Sequence, residues 1–236
     1  MEKQLSELVE KLKAACGANL KSVVLYGSAA TDEFHAKFSD LNVMCVLERL
    51  TATDLEKLNP PGQWWSGKGH PAPMIFTLEG LRTAADVFAI EFLDIKAKRR
   101  VLLGEDVFAD LDVPMSLHGH QVEREIRVNL IRLRQSYVAN PPEPKILARL
   151  MTASISSFVT LFHHALIALG ELPPHSKREA ADRLGSLLGF DSRPFHTILD
   201  VREKKLAENQ LDAPATFRAY FESIQRAEVE YDRRMK

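Results

Sequence analysis

Between Ile146 and Leu169 apolar side chains return every three or four residues, at Ile146, Leu147, Leu150, Met151, Phe158, Leu161, Phe162, Ala165 and Leu169, with Ser154 on the same line. A run of that length and period predicts a long α-helix with a wide apolar face, and such a helix belongs at the centre of a bundle. The chain around it reads the same way. Val122, Ile126, Leu130, Leu133 and Tyr137 share one helical face, and NPPEP at 140–144 separates that helix from the long one. Further helices fit 177–188, closed by Gly189, then 193–206, and 214–234 with Pro214 in its first turn.

Strand signals are confined to the other half. Residues 2–16 place Leu5, Leu8, Val9, Leu12 and Cys16 at helical spacing before Gly17. The β-branched run 22–26 predicts a buried strand ending at Gly27, and 41–47 a second one. A helix over 53–58 is expected to break at Pro60–Pro61, which then start a short helix carrying Trp64 and Trp65 as packing residues. Residues 73–76 predict a third strand, Thr77 caps a helix running through Leu81 towards Ala85, and AIEFLDI at 89–95 is taken as the fourth strand. The expected fold class is therefore α+β: a mixed α/β sheet domain over 1–112, followed by an all-α helical bundle over 113–236.

Charge and cysteine usage narrow the function classes. The 31 Lys and Arg nearly balance the 32 Asp and Glu, which argues against broad capture of nucleic acid or an anionic membrane. Cys16 and Cys45 lie on apolar patterns without Cys/His ligand spacing and read as reduced core residues of a cytosolic protein. No run is read as a membrane span, and MEKQLSELVEKLK is an amphipathic helix rather than a signal sequence. A cytoplasmic protein is expected.

The stretch LYGSAATDEFHAKFSDLNVMCVL, residues 25–47, carries the chemistry. A Gly after a strand lets a phosphate approach backbone N–H groups closely, and Ser28 adds a hydroxyl donor. Asp40 and Asn42 are one residue apart, so on a strand both face one side, where two oxygen ligands suit a hard cation such as Mg²⁺. Taken singly, each element has an ordinary explanation as a turn or a strand start. Together, Gly27, Ser28, a polar spacer, Asp40 and Asn42 resemble the signature of the polymerase-beta-like nucleotidyltransferase superfamily. The helical second half is similar to that of its kanamycin-nucleotidyltransferase-like members.

That resemblance implies a nucleoside triphosphate as substrate, a phosphate-binding role for Gly27 and Ser28, and Mg²⁺ held by three acidic side chains. Asp40 corresponds to the metal-bridging carboxylate, and Asn42 stands where the family has a second one. The third lies on a later strand in the family; Glu91 is the candidate, with Asp94 as the alternative on the same segment. Asn42 retains an amide oxygen but brings no charge to hold two divalent ions together. Two functions stay open: nucleotidyl transfer to a small-molecule or protein acceptor at a weakened metal site, or a catalytically inactive relative acting as a ligand sensor or antitoxin-like partner. The acceptor and the oligomeric state, a homodimer included, are left open. Lys96, Lys98, Arg99 and Arg100 could meet a triphosphate but read first as a solvated strand end. Glu123 and Glu125 suit a helix start, His163 and His164 one rim and one buried position, and His118 and His120 no assigned role.

Overall fold

The computed structural model describes residues 1–30 and 40–236, so the motif's spacer, 31–39, lies outside the described residues. The chain divides into two compact units, Met1–Pro114 and Met115–Lys236. Its fold class is α+β, a small mixed sheet with helices followed by an all-helical unit.

The N-terminal unit runs α1 (Glu2–Cys16), β1 (Leu20–Tyr26), β2 (Asn42–Leu47), α2 (Ala52–Ser66), β3 (Met74–Thr77), α3 (Leu78–Thr83), α4 (Ala89–Ala97) and β4 (Arg99–Gly104). The sheet order is β3-β2-β1-β4, with β1 antiparallel to β2 and β4, and β2 parallel to β3. Alternation along each strand sorts the side chains by face. Val23, Leu25, Val43, Cys45 and Leu47 pack with Leu5, Leu8 and Leu12 of α1 and with Leu58 and Trp65 of α2. Met44 and Val46 turn the other way, into a cluster with Leu81, Phe92, Ile95, Phe108 and Leu111. At the β1–β4 edge, Gly104 has φ +77° and stands opposite Ser22; a Cβ there would lie 1.8 Å from the Lys21 carbonyl oxygen. Only glycine lets the two backbones meet.

Three expectations are corrected here. Residues 89–95 form the helix α4 rather than a strand, because Ala89, Ile90, Phe92 and Ile95 are the buried positions, a helical spacing, while Glu91 and Asp94 are exposed. The fourth strand is instead RRVLLG, whose two leading arginines masked a half-buried edge strand. The third concerns α2, which continues through Pro60–Pro61. A capping box between Thr51 and Asp54 starts it, and Asp54, Leu58, Pro61 and Trp65 are buried along one face. An interior proline costs about 3 kcal/mol or more. Packing of Leu58 and the fully buried Trp65 against the sheet, with Pro61 buried on the same helix face, offsets that cost.

The C-terminal unit holds α5 (His118–Val138), α6 (Pro144–Ala168), α7 (Lys177–Leu188), α8 (Arg193–Arg202) and α9 (Ala213–Met235). α8 stops four residues short of the expected 206. Gly189 closes α7 in the left-handed conformation, with φ 75°. α6 touches the other four helices and buries Leu147, Met151, Ile155, Phe158, Phe162 and Ala165 among them. Contrary to the sequence reading, α6 is long and apolar enough to cross a membrane, with a mean hydropathy of 1.4 over its best window. Its apolar surface is taken up by its neighbours, which is what a core helix requires.

Candidate functional site

The turn after β1 is shaped by Gly27, whose φ of +78° favours glycine. The Gly27 N–H donates to the Lys98 carbonyl at 3.0 Å, tying the turn to the residue that enters β4. Ser28 follows, half-buried in a single 3₁₀ turn, Gly27–Ala30. Across the ladder Asn42 pairs with Tyr26, and a Cβ on Gly27 would sit 3.6 Å from Asn42 Nδ2. The turn and the amide therefore adjoin. Asp40 is exposed just before β2, and Leu41 between them is buried.

His70, which carried no sequence signal, braces this strand end. The Leu41 N–H donates to His70 Nδ1 at 3.5 Å, Nε2 lies 3.4 Å from Gln4 Oε1, and the ring packs against Trp65 with centroids 4.4 Å apart. Accepting at Nδ1 leaves the proton on Nε2 and the ring neutral. Burial holds its pKa below the ordinary value, against the opposing pull of the Asp40 charge.

The sheet face beside Asn42 is apolar. Met74 on β3 pairs with Met44, two residues along β2 from Asn42 and on the same face, and the Tyr26 hydroxyl donates to Met74 Sδ at 2.9 Å. Burial pushes the Tyr26 pKa up, which keeps that donor protonated. The later strands read MIFT and RRVLLG, and neither holds an acidic residue. Glu91 and Asp94 lie on the exposed side of α4. Among the described residues no three His, Cys, Asp or Glu side chains gather to hold a metal ion. A donor set of one carboxylate and one amide fits a single Mg²⁺ that keeps its waters and takes triphosphate oxygens. It does not fit a pair of ions a few ångströms apart, whose mutual repulsion demands more negative charge.

The basic run from the last turn of α4 into β4 is engaged within its own unit. Lys96 Nζ donates to the Leu111 carbonyl at 2.6 Å, Arg99 pairs with Asp106 at 2.8 Å, and Arg100 pairs with Glu2 at 3.0 Å. The Arg99 guanidinium in turn holds the Asp106 carboxyl below its usual range.

No protein-family model matches the chain, and no curated protein matches it. Among solved structures it is similar to a spectinomycin adenyltransferase from Enterococcus faecialis, solved with ATP and spectinomycin. That likeness spans 95% of this chain and 99% of the other, at a TM-score of 0.59 and 14% identity. The chain has the nucleotidyltransferase fold. In the helical unit Glu123 pairs with Arg127 at 2.9 Å, and Glu125 with Arg124. His163 is half-buried and His164 fully buried, while His120 is exposed. His118, whose partner could not be read from local sequence, is buried with Nε2 3.1 Å from His164 Nδ1.

Proposed function

We propose that this nucleotidyltransferase-fold protein binds a nucleoside triphosphate with one Mg²⁺ and serves as a ligand sensor, its capacity for nucleotidyl transfer lost or greatly reduced. The observation that carries this reading is the sheet face beside Asn42, where Met74 and Tyr26 stand and the later strands supply no carboxylate. Gly27, its own N–H given to the Lys98 carbonyl, shapes the turn so that the phosphates can approach the backbone closely, and the Ser28 hydroxyl donates to a phosphate oxygen. Asp40 and Asn42 hold the magnesium ion, which when bound neutralises triphosphate charge. His70 fixes the strand entry from which Asp40 projects. Binding needs only these groups; in-line transfer needs a second ion to activate the acceptor hydroxyl. The protein acts in the cytoplasm, where Mg-bound triphosphates are abundant.

Isothermal titration with ATP, GTP, CTP and UTP, with and without Mg²⁺, tests the binding. One triphosphate should bind in a Mg²⁺-dependent manner, and Asp40→Asn should weaken it at least tenfold, in line with the roughly 10–100-fold cost of altering ligand support. Absence of binding by all four, or rapid release of pyrophosphate by the native chain, would overturn the reading.

A second reading, transfer of a nucleotide to a small-molecule acceptor, is favoured by the overall likeness to an enzyme solved with ATP and spectinomycin. It assigns Asp40, Asn42 and Glu91, or Asp94, to the metal. Acceptor-dependent pyrophosphate release that Glu91→Gln abolishes would select it.

A further inference from the structure

The helical unit holds a cavity of about 420 Å³ where the C-terminal end of α5 meets the start of α6 and the first turns of α9, lined among others by Arg134, Tyr137, Leu147, Phe217, Arg218 and Phe221. It shares no residue with the Gly27–Asn42 site. Three of its rings form a slab. Tyr137 stacks on Phe217 with centroids 4.7 Å apart and planes 15° from parallel, and Phe217 and Phe221 follow at 6.1 Å and 11°.

Two cations border this apolar slab. Arg134 lies 5.7 Å from the Phe221 ring centroid, and Arg218 enters from α9. Neither guanidinium has a carboxylate partner among the described residues, a state they share with Arg132 and Arg149 of the same unit, while Arg127, Arg178 and Arg183 are ion-paired. No acidic side chain lines the cavity. Stacked aromatic rings flanked by two guanidiniums without carboxylate partners suit a planar hydrocarbon ring that carries a carboxylate. The volume falls within the usual range for small-molecule sites, roughly 300–1,000 Å³. The ring would extend the aromatic stack while the carboxylate accepts paired N–H bonds from arginine.

We propose that this cavity is a binding site for a small aromatic carboxylate. The test uses the full chain and three probes, benzoate, cinnamate and 2-naphthoate, by isothermal titration, with neutral 2-naphthol as the control. One saturable site per chain is expected, with 2-naphthoate binding more tightly than 2-naphthol. The double variant Arg134→Gln/Arg218→Gln should lose roughly tenfold or more in naphthoate affinity, the scale of one charge-assisted contact. Both side chains are exposed, so the melting temperature should stay unchanged. ATP should not displace the probe. Three outcomes would overturn the proposal: no saturable binding of any probe, equal binding by the double variant, or a dimer in sedimentation that Val138→Glu dissolves. The last would assign this face to a second copy of the chain.

Discussion

In the N-terminal unit the polar groups of interest sit at the rim of the sheet: Ser28 in the turn after β1, Asp40 exposed before β2, and Asn42 at its first position. In the helical unit polar groups lie inside the core. His118 and His164 face one another with 1% and 0% exposure, the Tyr220 hydroxyl meets Ser154 Oγ at 3.0 Å, and the Tyr231 hydroxyl donates to the Gly119 carbonyl at 3.2 Å. A buried polar group depends on its internal partner, and losing that partner leaves an unmet desolvation cost. An exposed group such as Asp40 keeps water as a partner and can exchange it for a ligand. The exposed Asp40 thus contrasts with the His118–His164 and Tyr220–Ser154 pairs, whose polar atoms meet one another within the helical unit.

Truncation should separate the two regimes most sharply. Phe195 is fully buried against Phe162, Phe190 and Tyr220, and Phe195→Ala should cost about 3–5 kcal/mol in urea unfolding. A loss under about 1 kcal/mol would mean that the bundle core is loosely packed. The next effect is acid sensitivity. Burial, then the neighbouring His164 and His163, lower the His118 pKa from 6.5 to about 4. Between those values the unfolded chain binds a proton that the folded chain excludes. Stability is thus full above pH 6.5 and falls as pH drops towards 4, by about 3 kcal/mol in total. His118→Leu should flatten that slope in denaturation curves taken across the range; an unchanged slope would remove the histidine pair as its cause.

Smaller effects belong to the first unit. Thr51→Ala removes the cap of α2, whose Oγ1 accepts from the Asp54 N–H, and should cost about 1 kcal/mol by thermal or urea unfolding. The smallest stability change is expected at the rim. Asn42→Ala should alter unfolding by no more than about 0.5 kcal/mol, while Mg²⁺-dependent triphosphate binding weakens. A large stability loss there would place Asn42 with the structural polar groups and erase the contrast.

Legibility in the sequence followed the range of the deciding contacts. α1, α6 and the αL end of α7 are set by local period and capping, and their positions were readable. AIEFLDI was not, because seven residues with apolar side chains at both alternating and helical spacing fit either element; packing of Phe92 against Phe76, Phe88 and Phe108 selects the helix. The prolines of α2 pointed to a break that the buried face of Leu58, Pro61 and Trp65 overrides. At the site, Gly27, Ser28, Asp40 and Asn42 are close in sequence and stood out together. Their neighbours did not, since Met74 and His70 arrive through the β2–β3 pairing and the approach of Gln4 and Trp65. A motif read along the chain could show that one charge was missing, but not that the adjoining strands leave it uncompensated.

The tight contact at Gly104 bears on how such a chain diverges over evolutionary time. Asp40 stands exposed before β2 and Asn42 at its first position, where no side-chain packing of the sheet depends on them. Residue 104 differs, since any side chain would strike the Lys21 carbonyl and part β4 from β1. Among descendants of this sequence, glycine at that position would record inheritance of the scaffold, whatever its rim had come to bind.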